Sequence, residues 1–214
     1  MEEIIKGKST LIEIEKAILG NVDSKSILHL HCHLGQDTIS LARMANRVVG
    51  VDYSIEAIKR ATVLKEKCNL SNIDFICKDI QDLEEKDLNY EKFDIAIASY
   101  GILVWIKDFK RWTRAVAEQL KVGGKLILID EHPFAAIFSG KESLAEFKIE
   151  APYSIDGSPY ITRNSYSYAN SEIRLKNDVQ YKWAHGFEEI FGEVRNSGLE
   201  ITDFKGKRQT IHTF

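Results

Sequence analysis

The chain has 214 residues, 44% hydrophobic and 29% charged, with a net charge of −3 at neutral pH. That is enough chain for one α/β domain with a substantial core, and the charge gives no basic footprint, which argues against nucleic acid as a partner. No apolar run approaches the roughly 20 residues that span a membrane, and Met1 to Lys8 has no apolar signal core. The three cysteines, Cys32, Cys68 and Cys77, lack CxxC spacing and fit reduced thiols in a cytoplasmic protein.

The first hundred residues alternate between two patterns. Leu11, Ile14, Ile18 and Leu19 share a helical face. Ser26 to His31 is a short apolar run, a first strand. Asp37 to Asn46 predicts a helix, and Arg47 to Val51 a second strand. Ser54 is a good N-cap for a helix running to about Lys67. Asn72 to Cys77 and Phe93 to Ala98 predict the third and fourth strands. Trp105 to Leu120 is mostly helical and stops at a turn, Val122-Gly123-Gly124. Lys125 to Asp130 is the expected fifth strand.

Beyond Glu131 the pattern loosens, with Pro133, Pro152 and Pro159. Tyr160 to Tyr168 and Asp178 to Trp183 predict a hairpin, Gly186 to Asn196 an amphipathic helix, and Leu199 to Phe204 a late strand. Strands alternating with helices imply βαβ units, and nearly continuous apolar strands imply helices on both sheet faces. The fold class is therefore α/β: a Rossmann-like, mostly parallel sheet with helices on both faces and a hairpin insertion after the fifth strand. Residues 1–214 make one domain, with 133–185 an insertion or cap within it. Ligands of such sheets bind at the carboxyl ends of the strands, at the switch point.

The informative stretch is Ile27-Leu28-His29-Leu30-His31-Cys32-His33-Leu34-Gly35, followed by Val48-Val49-Gly50-Val51-Asp52-Tyr53-Ser54. A strand runs into a tight loop and a helix, and the next strand ends in an acid seventeen residues after Gly35. In a nucleoside-binding α/β fold that acid accepts hydrogen bonds from the ribose hydroxyls, while the helix N-terminus favours a ligand carboxylate. The alternation of His29, His31 and His33 would put three imidazoles on one strand face, a zinc-like pattern. The same spacing follows from a cofactor loop if the strand ends near His31, and no metal is expected.

These residues resemble class I S-adenosylmethionine-dependent methyltransferases, in particular a subset whose first motif ends His-x-Gly-x-Asp-Thr, here His33, Gly35, Asp37 and Thr38. The resemblance extends through Gly50-Val51-Asp52-Tyr53-Ser54, Lys78-Asp79-Ile80, Phe93-Asp94 to Gly101, and Val122-Gly123-Gly124-Lys125-Leu126. It covers roughly residues 25–132. It implies S-adenosylmethionine as cofactor, bound by His31, His33, Gly35, Thr38, Asp52, Tyr53, Asp79, Ile80 and Ser99. Asp79 would meet the adenine amino group, Ile80 would offer its N–H to the ring, and Ser99 and Tyr100 would stand beside the methyl donor. A solvated loop acid remains the alternative for Asp79, and simple packing the alternative for Tyr100.

The departures are informative too. His29 stands where the family usually has an acid, and His31 and His33 where it usually has glycines. They keep open a non-catalytic S-adenosylmethionine-binding or regulatory protein on the same fold. A nicotinamide-dependent oxidoreductase is disfavoured, because the loop lacks GxGxxG spacing. On the acceptor side, His132 and His185 are the candidate bases, with Tyr100 a third catalytic candidate. Tyr153, Tyr160, Tyr166, Tyr168 and Tyr181 either wall an apolar pocket or pair across a hairpin. The expected partner is a small-molecule methyl acceptor, without nucleic acid or membrane. The family closes its sheet with two further strands. Only Lys207 to Phe214 remains for the second of them, so the expectation is a shortened or truncated relative. Its sheet edge would be covered by the hairpin or by a second subunit in a homodimer.

Overall fold

The structure is a computed structural model that describes residues 1–138, 149, 151–163, 166–167, 170–174 and 178–206. Its contacts divide the chain into two compact units. The first comprises Met1–Ile102 and Arg111–Ile129, the second Leu103–Lys110 and Asp130–Phe214. The 133–185 segment read as an insertion falls in the second unit.

The first unit holds five parallel strands: β1 (Ser26–Leu30), β2 (Arg47–Asp52), β3 (Ile73–Cys77), β4 (Phe93–Ser99) and β5 (Leu120–Ile129). Their order is β3-β2-β1-β4-β5. The order reverses direction at β1, so right-handed crossovers send the connecting helices to opposite faces. The helices are α1 (Glu2–Ile5), α2 (Glu13–Leu19), α3 (Gln36–Ala42), α4 (Ile55–Lys67) and α5 (Phe109–Glu118). Every residue of β1 is buried, as expected of the central strand of a doubly covered sheet. Ile39 and Leu41 of α3, Ala61 and Leu64 of α4, and Trp112 and Val116 of α5 are buried as well.

Two local devices fix the frame. Asp94, at the amino end of β4, accepts hydrogen bonds from the Ser26 backbone N–H and hydroxyl, both at 2.8 Å, and pairs with Lys121. Lys121 and the Ser26 donors hold its carboxyl below the usual carboxylate range. This member of the resemblance is thus a clasp between β1, β4 and β5 at the end of the sheet away from the switch point. The second device is the turn at Gly123, which lies inside β5 rather than before it. Phe93 faces Leu120 while Ile95 already faces Lys125, so the pairing skips the glycines and resumes. A Cβ on Gly124 would meet the Lys121 carbonyl at 2.9 Å.

The second unit carries β6 (Tyr160–Arg163) paired antiparallel with β9 (Val179–Lys182), the short β7 (Tyr166–Ser167) paired with β8 (Asn170–Arg174), and α6 (Phe187–Asn196). The hairpin expected from the sequence is therefore present, as two small sheets of its own. Tyr181 faces Ile161 across the β6–β9 pair, and the Tyr153 hydroxyl accepts the Phe187 N–H at 3.1 Å. Tyr168 lies outside the described residues. The late strand expected at Leu199 to Phe204 is not a strand. Its last ring leaves the ladder to pack edge-on against Phe187 and Phe191 of α6, at centroid distances of 5.4 and 5.1 Å. The residues expected to supply a final strand, Thr210 to Phe214, lie outside the described residues. Among the described residues β5 ends the sheet.

Gly35 caps α3 with a left-handed backbone, φ 73°. A Cβ there would stand 2.7 Å from Ala61 Cβ and from the Phe75 ring. The glycine thus lets α3 start against α4 and β3, and a side chain would collide with the protein's own core before reaching any ligand. Gly35→Val is expected to destabilise the fold by about 2–4 kcal/mol from overpacking and left-handed strain together. Urea denaturation measures it, and an unchanged midpoint would refute the packing role.

Candidate functional site

β1 stops at Leu30, and the chain turns through His31 (φ 53°), His33 (φ 48°) and Gly35. Left-handed backbone is unusual for residues with a side chain. The three histidines consequently part company. His29, within the strand and buried, has Nδ1 2.8 Å from the fully buried Thr38 hydroxyl of α3. The shared strand face that triple ligation would need is absent.

His31 lies beside Trp112, their rings stacked at 6.3 Å, and the indole N–H donates to His31 Nε2 at 3.0 Å. Since an indole nitrogen only donates, Nε2 must be the bare nitrogen of a neutral ring. Burial acts in the same sense, lowering the His31 pKa to about 4 against the opposing charges of Asp52 and Asp79. Burial lowers His29 and His33 likewise.

The His33 backbone N–H donates to Asp52 Oδ2 at 2.9 Å, and the Ser54 N–H donates to Oδ1 at 2.9 Å. Asp52, buried at the carboxyl end of β2, is thereby tied to the first loop and to the cap of α4, where Ser54 Oγ accepts the Ala57 N–H. Tyr53 is exposed. Asp79 follows β3 and caps a single 3-10 turn (Ile80–Asp82), accepting the Gln81 N–H at 2.9 Å. The side chain of Ile80 is buried. The structure thus gathers His31, His33, Asp52, Tyr53 and Asp79 at the ends of β1, β2 and β3. The side chains of Thr38 and Ile80 lie in the core behind these strand ends.

At the end of β4, Ser99 Oγ donates to Glu15 Oε1 at 3.0 Å. Tyr100 has φ 64°, and its solvent-shielded hydroxyl makes no hydrogen bond of good geometry. Burial, then the nearby Glu15 charge, push that hydroxyl's pKa up. Tyr100 therefore stays protonated at neutral pH and is suited to donate a hydrogen bond, not to abstract a proton. Glu15 was not singled out from the sequence, although it falls four residues after Leu11 and four before Leu19. A carboxylate on the buried stripe of a helix was the available signal.

The second unit holds the other two candidates. His132 is exposed and its Nδ1 accepts the Phe134 N–H at 3.1 Å; its ring meets Phe187 edge-on at 4.8 Å. His185 is buried, with Nε2 2.7 Å from the Ile106 carbonyl and Nδ1 2.9 Å from Glu189. Both of its ring nitrogens face acceptors, so neither is open to a proton from a bound molecule. The base role expected of His185 gives way to that of a pin between α6 and the 103–110 segment.

A reversed strand order with an acid at the carboxyl end of β2 defines a Rossmann-like α/β protein. Residues 21–174 match the family model described as a methyltransferase domain, and the chain belongs to that family. It is similar to the S-adenosylmethionine-dependent methyltransferase of Clostridium acetobutylicum, with TM-score 0.65 and 20% identity over 94% of this chain and 85% of that one. A second such methyltransferase, from Mesorhizobium loti, gives TM-score 0.62 and 20% identity over 91% and 82%. In sequence, 78 residues are 30% identical to the 23S rRNA (uracil(1939)-C(5))-methyltransferase RlmD of Vesicomyosocius okutanii. That match spans 35% of this chain and only 18% of the relative's length.

Between pH 6.5 and 4 the unfolded chain binds a proton at His31 that the folded chain refuses. Folding stability is thus whole above pH about 6.5 and falls as pH drops toward 4, by up to about 3 kcal/mol from this one ring. Denaturant titrations at pH 7, 6 and 5 should show the decline, and His31→Asn should flatten it. An identical slope in the variant would refute the assignment.

Proposed function

We propose that the chain transfers a methyl group from S-adenosylmethionine to a small-molecule acceptor. The observation that carries the proposal is the buried Asp52 carboxylate, each oxygen steered by one backbone N–H. The remaining lone pairs suit two vicinal ribose hydroxyls. The surrounding residues fit the same ligand. Asp79 and the Ile80 N–H serve the adenine, with exposed Tyr53 alongside. The His31–Gly35 loop wraps the methionine end, while Thr38 fixes the His29 ring behind it.

When bound, S-adenosylmethionine supplies a methyl group already activated by its sulfonium. The protein's task is then alignment for in-line displacement. Tyr100, kept protonated, donates a hydrogen bond beside Ser99. Of the two candidate bases, His132 is the exposed one, its Nδ1 accepting the Phe134 N–H.

A small acceptor is favoured by the net charge of −3, which does not suit a polyanion. The rRNA-modifying relative shares too small a part of its length to argue otherwise. No helix among the described residues is long and apolar enough to cross a membrane, and a cytoplasmic location with reduced cysteines completes the proposal. So does a homodimer covering the outer edge of β5.

Incubation with methyl-labelled S-adenosylmethionine and a lysate separated into small-molecule, RNA and protein fractions tests this function. Label in the small-molecule fraction is expected, and label in RNA alone would overturn the acceptor class. Cofactor binding without label anywhere would identify the non-catalytic alternative. Asp52→Ala should weaken S-adenosylhomocysteine binding by about 1–3 kcal/mol, the range for lost hydrogen bonds to a charged group. Calorimetry showing unchanged affinity would remove Asp52 from the site.

A further inference from the structure

Glu15 is the most buried acid of the first unit, 1% exposed, and it lies at the end of β4. Its Oε2 accepts the Ile12 N–H at 3.0 Å, and its Oε1 accepts the Ser99 hydroxyl. A second acid, Asp37 in the first turn of α3, is near enough for its charge to act on Glu15. Thr10 fastens this corner, donating its backbone N–H to Ser40 and its hydroxyl to Asp37. Among the described residues no lysine, arginine or histidine comes within ion-pair distance of Glu15. A buried carboxylate without a cation is costly, and a helix cap alone does not require one there.

The sheet register supplies the occupant. Leu30 pairs with Val51 and His29 with Ile97. Continued to the strand ends, the register sets Asp52 and Ser99 on either side of His31, two strand spacings or about 10 Å apart. A nucleoside with its ribose at Asp52 and its tail crossing the end of β1 therefore arrives at Ser99 and Glu15. The solvent-shielded Tyr100 hydroxyl, without a hydrogen bond of good geometry, faces the same corner. The tail of S-adenosylmethionine carries an α-ammonium, an α-carboxylate and a sulfonium, and of these only the cations suit a corner lined by Glu15 and Asp37.

We propose that the Glu15 carboxylate is the counter-charge for the α-ammonium group at the methionine end of the cofactor, held in place by Ser99. This rests on the donor assignment made above. His29, which occupies the position where an acid is usual, is neutral and turned to Thr38, so the negative charge reaches the tail from α2 instead of β1. Burial and Asp37 raise the Glu15 pKa in the absence of a cation. Ligand binding then lowers it again, and affinity depends on Glu15 being ionised. The groups that act on Glu15 are the Ile12 N–H at the start of α2, Asp37 from α3, and Ser99 and Tyr100 from the end of β4.

Calorimetry with two probes tests it: S-adenosylhomocysteine, which carries the amino-acid tail, and 5′-methylthioadenosine, which lacks it. Glu15→Gln keeps the size of the side chain and its ability to cap α2. It is expected to weaken S-adenosylhomocysteine at least tenfold and to leave 5′-methylthioadenosine within about twofold, and Glu15→Asp should recover part of the loss. Equal affinity of wild type and Glu15→Gln for the tailed probe, or an equal loss for both probes, overturns the proposal. If the substituted chains fail to fold, wild type at fixed pH gives the same contrast: the analogue of S-adenosylhomocysteine lacking its α-amino group should bind at least tenfold more weakly than S-adenosylhomocysteine itself, and equal affinity of the two overturns the proposal. Wild type that binds neither probe overturns the donor assignment itself, and this inference with it.

Discussion

Each oxygen of the Asp52 carboxylate receives one backbone N–H, from His33 on one side and Ser54 on the other. Through those two bonds a single side chain sets the shape of the first loop and the start of α4. The loop then carries its own consequences. With His33 held, the backbone between Leu30 and Gly35 passes through two left-handed residues, which turns His31 onto Trp112 and leaves His29 inside the strand. A glycine loop would reach a similar path without strain. Here the path is held by hydrogen bonds and an indole instead, so the loop is specified by contacts and not by backbone freedom.

Much of the fold was legible in the sequence because the strands of a doubly covered parallel sheet are plain apolar runs. β1, β2, β3 and β4 match expectation to within a residue or two, and Ser54 caps α4 as its type suggests. Two elements were misread for physical reasons. The glycines at 123 and 124 make a turn, as expected, but the strand pairs on both sides of it. Leu199 to Phe204 starts with the alternation of a strand but loses it at Asp203, and Phe204 packs instead on two phenylalanines of α6.

For the candidate site, the residue types were readable and the backbone angles were not. His29, His31 and His33 look equivalent at a spacing of two, and only the end of β1 at Leu30 gives them three different surroundings. His185 looked available because a sequence does not reveal that Ile106 and Glu189 occupy both of its nitrogens. Glu15 was overlooked for the opposite reason: its surroundings come from Ser99, 84 residues away, and an acid in a helix is ordinarily taken for a solvated one.

That separation bears on how the protein is made. The two backbone hydrogen bonds to Asp52 span at most 19 residues of chain and close early because short loops cost little entropy, whereas the Trp112 indole that holds His31 comes from 81 residues away. The Glu15–Ser99 contact cannot form until β4 has been synthesised and has found its place beside β1. Contacts so distant in sequence are the slow ones in folding. During synthesis from the N-terminus, the two ends of the crevice are therefore born at different times, and the corner carrying Glu15 closes only when the centre of the sheet does.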